Sequence, residues 1–117
     1  MTLEECYGQI GGNYENVLAR LGKEEKVLKY LRLFLGEECF SEIGKALDEK
    51  EYKKAFEHAH NLKGAALNLS LDELYKEAAV LCDALRGEEP VGDVDAMYEA
   101  VARECEKIRT AAGEFMD

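Results

Sequence analysis

Tyr52-Lys53-Lys54-Ala55-Phe56-Glu57-His58-Ala59-His60-Asn61-Leu62-Lys63-Gly64-Ala65-Ala66-Leu67 runs directly into Asn68-Leu69-Ser70-Leu71-Asp72-Glu73. In the first stretch Ala55, Ala59, Leu62 and Ala66 recur every three or four residues, the period of a helix with one buried face. Ser70-Leu71-Asp72-Glu73 has the S-x-x-E form of a capping box. One helix is therefore expected to end near Asn68 and another to begin after Ser70. Leu71, Leu74, Ala78, Leu81 and Leu85 continue a stripe along that second helix. A joint this short makes the two helices antiparallel neighbours.

The same period extends outward in both directions. From Glu24 to Leu47, Leu28, Leu31, Leu35, Cys39, Ile43 and Ala46 form a stripe that predicts one long helix, with Gly36 and Gly44 as places where it bends. After a break from Gly87 to Gly92 that contains Pro90, Asp93 is a suitable N-cap. Val94, Met97, Val101, Cys105, Ile108 and Ala112 then mark a last helix. At the front, Thr2-x-x-Glu5 is a second capping box, and Asn13 can cap a short helix that stops at Gly22. Apolar and polar residues nowhere alternate as in a strand, and no repeat, low-complexity tract or linker interrupts the pattern. The expected fold is all-α: an antiparallel up-down four-helix bundle over residues 24–113, with a short N-terminal helical extension over 1–22. The whole of 1–117 reads as a single domain.

Composition bounds what such a bundle does. Fifteen Lys and Arg against 25 Asp and Glu give a net charge of −10, which argues against a nucleic-acid-binding footprint. Hydrophobic residues make up 47% of the chain, enough for a core. No run is long and apolar enough for a membrane span, and the first residues have no secretory pattern, so a cytoplasmic protein is expected. Cys6, Cys39, Cys82 and Cys105 lack C-x-x-C spacing and read as reduced, mostly buried thiols. A bundle of this size and charge is most simply a monomer, and the Met1 start and full set of helices suggest a stand-alone protein. A piece of a larger hybrid sensor kinase is the other possibility.

The two histidines of the chain are His58 and His60. At about 100° per residue, the apolar stripe lies about 130° round the helix from His60, whereas Phe56, Lys63, Gly64 and Leu67 fall within about 60° of it. His60 is thus expected to project outward beside a cation and a glycine, with no acid among its nearest helical neighbours. His58 lies about 160° away beside the stripe and reads as a partly buried, hydrogen-bonded structural histidine. His58 and His60 stand nearly back to back and cannot chelate one ion. Glu57-x-x-His60 matches di-iron spacing, but such sites need a second E-x-x-H, and no third histidine exists. No metal and no cofactor is expected. On these residues alone, His60 is either a nucleophile or an ordinary surface histidine on a structural or adaptor bundle.

His60-Asn61-Leu62-Lys63-Gly64, preceded by Ala59 and followed by a helix carrying Leu71, Leu74, Ala78 and Leu81, resembles the histidine-containing phosphotransfer (HPt) domain family. The likeness extends to Tyr14 through Gly22 ahead of a helix with Phe34, and to Asn68-Leu69-Ser70-Leu71, where the family turns between its central helices. The short motif is moderately specific; with its surroundings and the chain length it becomes strong. The resemblance implies that His60 accepts a phosphoryl group from a receiver-domain aspartyl phosphate and passes it to another receiver aspartate. It also implies that Lys63 offsets the phosphoryl charge, that Gly64 admits the partner, and that the receiver brings the Mg²⁺. Response-regulator receivers are the implied partners, with a hybrid sensor kinase as a further candidate. Phe56 and Leu67 are candidate docking contacts or, equally, residues at the edge of the core, while Lys76 reads as a solvated charge.

No Gly-rich phosphate loop is present, so autonomous kinase activity is not expected. Three positions depart from the family's pattern. Ser70 stands where glycine is common, which the capping box accounts for. Leu67 replaces a small residue beside His60. Cys82 stands where many members carry a glutamate or glutamine that orients the imidazole, and a thiol is a weak hydrogen-bonding group. These departures keep open a second reading, a non-phosphorylated helical adaptor that binds a receiver or kinase domain.

Overall fold

A computed structural model describes residues 1–37, 39–87 and 89–115, apart from the side chain of Cys39. It consists of seven α-helices: α1 (Leu3–Gln9), α2 (Tyr14–Leu21), α3 (Glu24–Gly36), α4 (Cys39–Asp48), α5 (Tyr52–Asn68), α6 (Asp72–Ala84) and α7 (Val94–Ala112), followed by a 3₁₀ turn at Gly113–Phe115. No strand occurs among the described residues. The four-helix bundle is built from α4, α5, α6 and α7: α5 packs between α4 and α6, and α7 packs on α6 and α4. The stripes of α5 and α6 are buried as their period requires, with Ala55, Ala59, Leu62 and Ala66 facing Leu71, Leu74, Ala78, Leu81 and Leu85.

The single helix expected from Glu24 to Leu47 is two. Glu37 adopts an extended backbone (φ −77°, ψ 152°) directly after Gly36 and ends α3, its N–H donating to the Phe34 carbonyl. The break also resets the buried face. Val27, Leu31 and Phe34 enter the core from α3, with Leu28 and Leu35 at its margin, and Ile43, Ala46 and Leu47 enter from α4. Gly44 has a packing role in α4. A Cβ there would lie 2.5 Å from the Tyr98 hydroxyl, so the glycine lets Tyr98 of α7 cross α4. Tyr98 stacks on Phe40 (5.2 Å between ring centroids) and donates to the Phe40 carbonyl, closing the bundle along α4 and α7.

The N-terminal helices begin as expected. Thr2 and Glu5 form the reciprocal capping box, and the Asn13 side chain accepts from the Asn16 N–H. Asp93 likewise caps α7 through the Ala96 N–H. Beyond their caps, α1 and α2 do more than extend the bundle. Cys6, Tyr7 and Ile10 are fully buried in the common core, and the Tyr7 hydroxyl donates to the Leu69 carbonyl at 2.9 Å, at the end of α5.

The joint between α5 and α6 departs from the capping box expected there. Ser70 sits in the left-handed region (φ 52°), buried, with no partner for its hydroxyl, and Leu71 occupies the N-cap position of α6 without a side-chain cap. The α1–α2 loop supplies what Ser70 does not. The Gly11 carbonyl accepts from the Glu73 N–H, and the Asn13 N–H donates to the Ser70 carbonyl. Gly11 is needed for this contact, since its φ is +68° and a Cβ would lie 2.2 Å from the Glu73 side chain.

Ser70 thus combines a left-handed backbone, costing a non-glycine residue about 1–2 kcal/mol, with an orphaned hydroxyl. Glycine would relieve both, against roughly 0.5–1 kcal/mol of added chain entropy in the unfolded state. Ser70→Gly is therefore expected to stabilise the protein by about 1 kcal/mol, raising the melting temperature by a few degrees. A thermal melt in which the glycine variant unfolds at a lower temperature would show that the hydroxyl has a partner or that the turn tolerates it.

Candidate functional site

The face of α5 turned from its buried stripe carries the residues singled out from the sequence. His60 is exposed and Lys63 half-buried one turn on, with Gly64 exposed beside it. Leu67, two turns from His60, is 50% exposed, unusual for a large aliphatic side chain with no cover. Phe56, one turn before His60, packs at the margin of the core. A Cβ added at Gly64 would meet nothing within 4 Å, so no neighbour in the fold requires a glycine there. These five residues share one helical face beside α6.

His58 lies half-buried on the other flank of α5, in a cleft between α4 and α5 lined by Glu42, Lys45, Ala46, Glu49, Glu51 and Lys54. Its partial burial is as expected from the helical wheel. The hydrogen bond expected with it is not found: among the described residues neither imidazole has a hydrogen-bond partner. Likewise no group of three or more His, Cys, Asp and Glu side chains comes together in a way that could hold a metal ion among the described residues.

Side chains outside the expected set surround the imidazole. The Phe56 ring stacks on that of His60, 6.0 Å between centroids and 21° between planes, within the range of favourable offset pairs. The Arg86 guanidinium, just past the end of α6, lies over the Phe56 ring at 5.6 Å and pairs with Asp83 at 2.9 Å. At the far end of the face, the Arg20 guanidinium of α2 donates to the Leu67 carbonyl. Neither arginine was visible to periodicity, since Arg86 lies beyond a helix end and Arg20 on a helix distant in sequence. Lys76 is exposed and pairs with Glu73 on its own helix, as a solvated charge would.

The expectation of a face without acid does not hold. Glu57, exposed three residues before His60, is a close helical neighbour, and Asp83 pairs with Arg86 nearby. Three cations, Arg20, Lys63 and Arg86, nevertheless border the face in a chain of net charge −10. Cys82 is fully buried among core residues, and burial pushes its thiol above the ordinary range against the opposing pull of Lys63 and Arg86. The thiol stays protonated at neutral pH and inaccessible to reagents. Cys6 and Cys105 are buried in the same way, Cys105 with its thiol pushed up to about 11. The expectation for Cys39 lies outside the described side chains.

The arrangement is an exposed imidazole with one cation a turn away, an uncovered helical backbone at Gly64 and apolar residues at both ends. Among the described residues it has no enclosing wall. No helix among the described residues is long and apolar enough to cross a membrane. Comparisons with curated proteins and with solved structures find no match. The family model described as Hpt domain matches residues 29–111, from α3 to the last turns of α7. That span covers well over half of the 117 residues and includes His60, and the chain belongs to the Hpt domain family.

Proposed function

We propose that the protein is a phosphotransfer intermediate of a two-component phosphorelay, with His60 as the residue that carries the phosphoryl group. Membership of the Hpt domain family gives a phosphotransfer role in two-component signalling, and Hpt domains pair with receiver domains of response regulators or hybrid kinases. The observation that carries the finer reading is the exposed His60 with Lys63 and the open Gly64 on one helical face.

In this reading a lone pair on an imidazole nitrogen attacks the phosphorus of a receiver's aspartyl phosphate. The P–O bond to the aspartate breaks, and the carboxylate leaves with the electron pair. The new P–N bond keeps enough transfer potential for a second receiver aspartate to reverse the step. Lys63 offsets the phosphoryl charge, and the receiver supplies the divalent cation. Phe56 and Leu67 offer apolar contacts on either side of the imidazole. The protein acts in the cytoplasm as a monomer and makes no phosphoryl group of its own.

Mixing the protein with a receiver charged by acetyl phosphate tests this reading. The expected result is a label on this chain that is lost in acid and kept in alkali, as a phosphoramidate is. Stable binding without such a label would instead identify a helical adaptor, the reading that the bulk of Leu67 and the buried Cys82 support.

A further inference from the structure

The imidazole of His60 is exposed and has no hydrogen-bond partner among the described residues, and Cys82, on the next helix, is fully buried. An unconstrained exposed histidine samples several rotamers, which slows any reaction that requires one orientation. The ring contact with Phe56 is the restraint the structure does show. We propose that Phe56 is a positioning residue for His60, and that Arg86 holds Phe56 in place.

The parts form a chain across two helices. Phe56 is partly buried and packed against the core, whereas the imidazole it stacks on is exposed. Arg86 reaches that ring from just past the end of α6 as a cation over a π-face, and Asp83 on α6 pairs with the guanidinium three residues back. The stack restrains the imidazole plane while leaving both ring nitrogens free. A hydrogen-bonding side chain would occupy one of them. Orientation by stacking therefore suits a group that must present a lone pair on one nitrogen and keep a proton on the other.

The proposal rests on the phosphotransfer reading for its kinetics only, so it is tested in two arms. In the first, NMR of the unphosphorylated full chain reads the χ1 couplings of His60 and cross-peaks between its ring protons and those of Phe56. Wild type should show one dominant rotamer and clear ring-to-ring cross-peaks. Phe56→Leu should average the couplings, and Arg86→Gln, at an exposed site that leaves the core intact, should do so in part. Averaged couplings in wild type, or unchanged ones in Phe56→Leu, would overturn the proposal.

In the second arm the chain is phosphorylated with phosphoramidate, in which an imidazole nitrogen displaces ammonia from phosphorus. Phe56→Leu should react about tenfold more slowly at His60, as expected for a nucleophile left unoriented. Phe56→Tyr should restore the rate, and reaction at His58 should not change. Equal rates at His60 in wild type and Phe56→Leu would overturn the proposal. Failure of a charged receiver to label wild type would contradict the phosphotransfer reading instead, leaving the NMR result to decide the positioning role.

Discussion

Gly64→Gln should be more stable than wild type and nearly inert towards a phosphorylated receiver. Gly64 lies in the interior of α5, where glycine is roughly 1 kcal/mol less favourable than alanine or glutamine. Its Cβ direction is open, so nothing in the fold opposes a side chain. The proposed function gives that glycine a reason outside the helix. On the phosphotransfer reading that is the receiver's active-site edge, which must bring its phosphorus within bonding distance of the imidazole beside Gly64. A glutamine would hold the two apart, and a displacement of even about 1 Å costs on the order of 100-fold in such a reaction. Thermal melts and receiver-to-protein transfer rates measured on the same preparation check both halves. A stabilised variant with undiminished transfer would remove Gly64 from the interface.

Tyr7→Ala should destabilise the protein by about 3–5 kcal/mol, the range for deleting a large buried aromatic side chain. A small domain has only about 5–15 kcal/mol in total, so this variant approaches unfolding at ordinary temperature. Tyr7 is wholly buried, and burial pushes its phenol well above the ordinary value, keeping it a donor to the Leu69 carbonyl. Tyr7→Phe should isolate the hydrogen bond and cost about 1–2 kcal/mol, since the carbonyl at the α5 end loses its donor. Gly12 belongs to the same assembly, because a Cβ there would lie 2.6 Å from the Tyr7 ring and 3.0 Å from the Ser70 carbonyl. The matched family region begins at residue 29, yet these residues precede it and support the turn that ends the His60 helix. Urea unfolding of both variants checks the values. A loss below about 1 kcal/mol for Tyr7→Ala would mean that α1 is not part of the cooperative core.

What could be read from the sequence and what could not follows from the range of the interactions. The stripes of α5, α6 and α7 and the caps at Thr2, Asn13 and Asp93 depend on residues within a turn or two of each other, and the structure has them as expected. The outward direction of His60 follows from the same local geometry. The break after Gly36 was hidden because apolar residues continue through it at helical spacing, and its sign is a backbone change at Glu37. Ser70 departs from its capping-box pattern for a related reason: the S-x-x-E pattern is local, but a carbonyl from Gly11, far away in sequence, takes over the cap. Gly44 makes room for Tyr98, and Arg20 from α2 and Arg86 from just past α6 reach the α5 face, contacts that no single-helix pattern encodes. Glu57, by contrast, is placed beside His60 by the same helical geometry that places Lys63 there.

The most direct test is transfer from a phosphorylated receiver to wild type, His60→Gln and His58→Gln, with the labelled residue mapped by mass spectrometry under alkaline conditions. His60 is exposed on the face that carries Lys63 and Gly64, whereas His58 sits half-buried in the cleft against α4. Wild type and His58→Gln are predicted to be labelled at His60 at similar rates, and His60→Gln not at all. Persistent label on the His60→Gln protein would contradict His60 as the phosphoryl carrier.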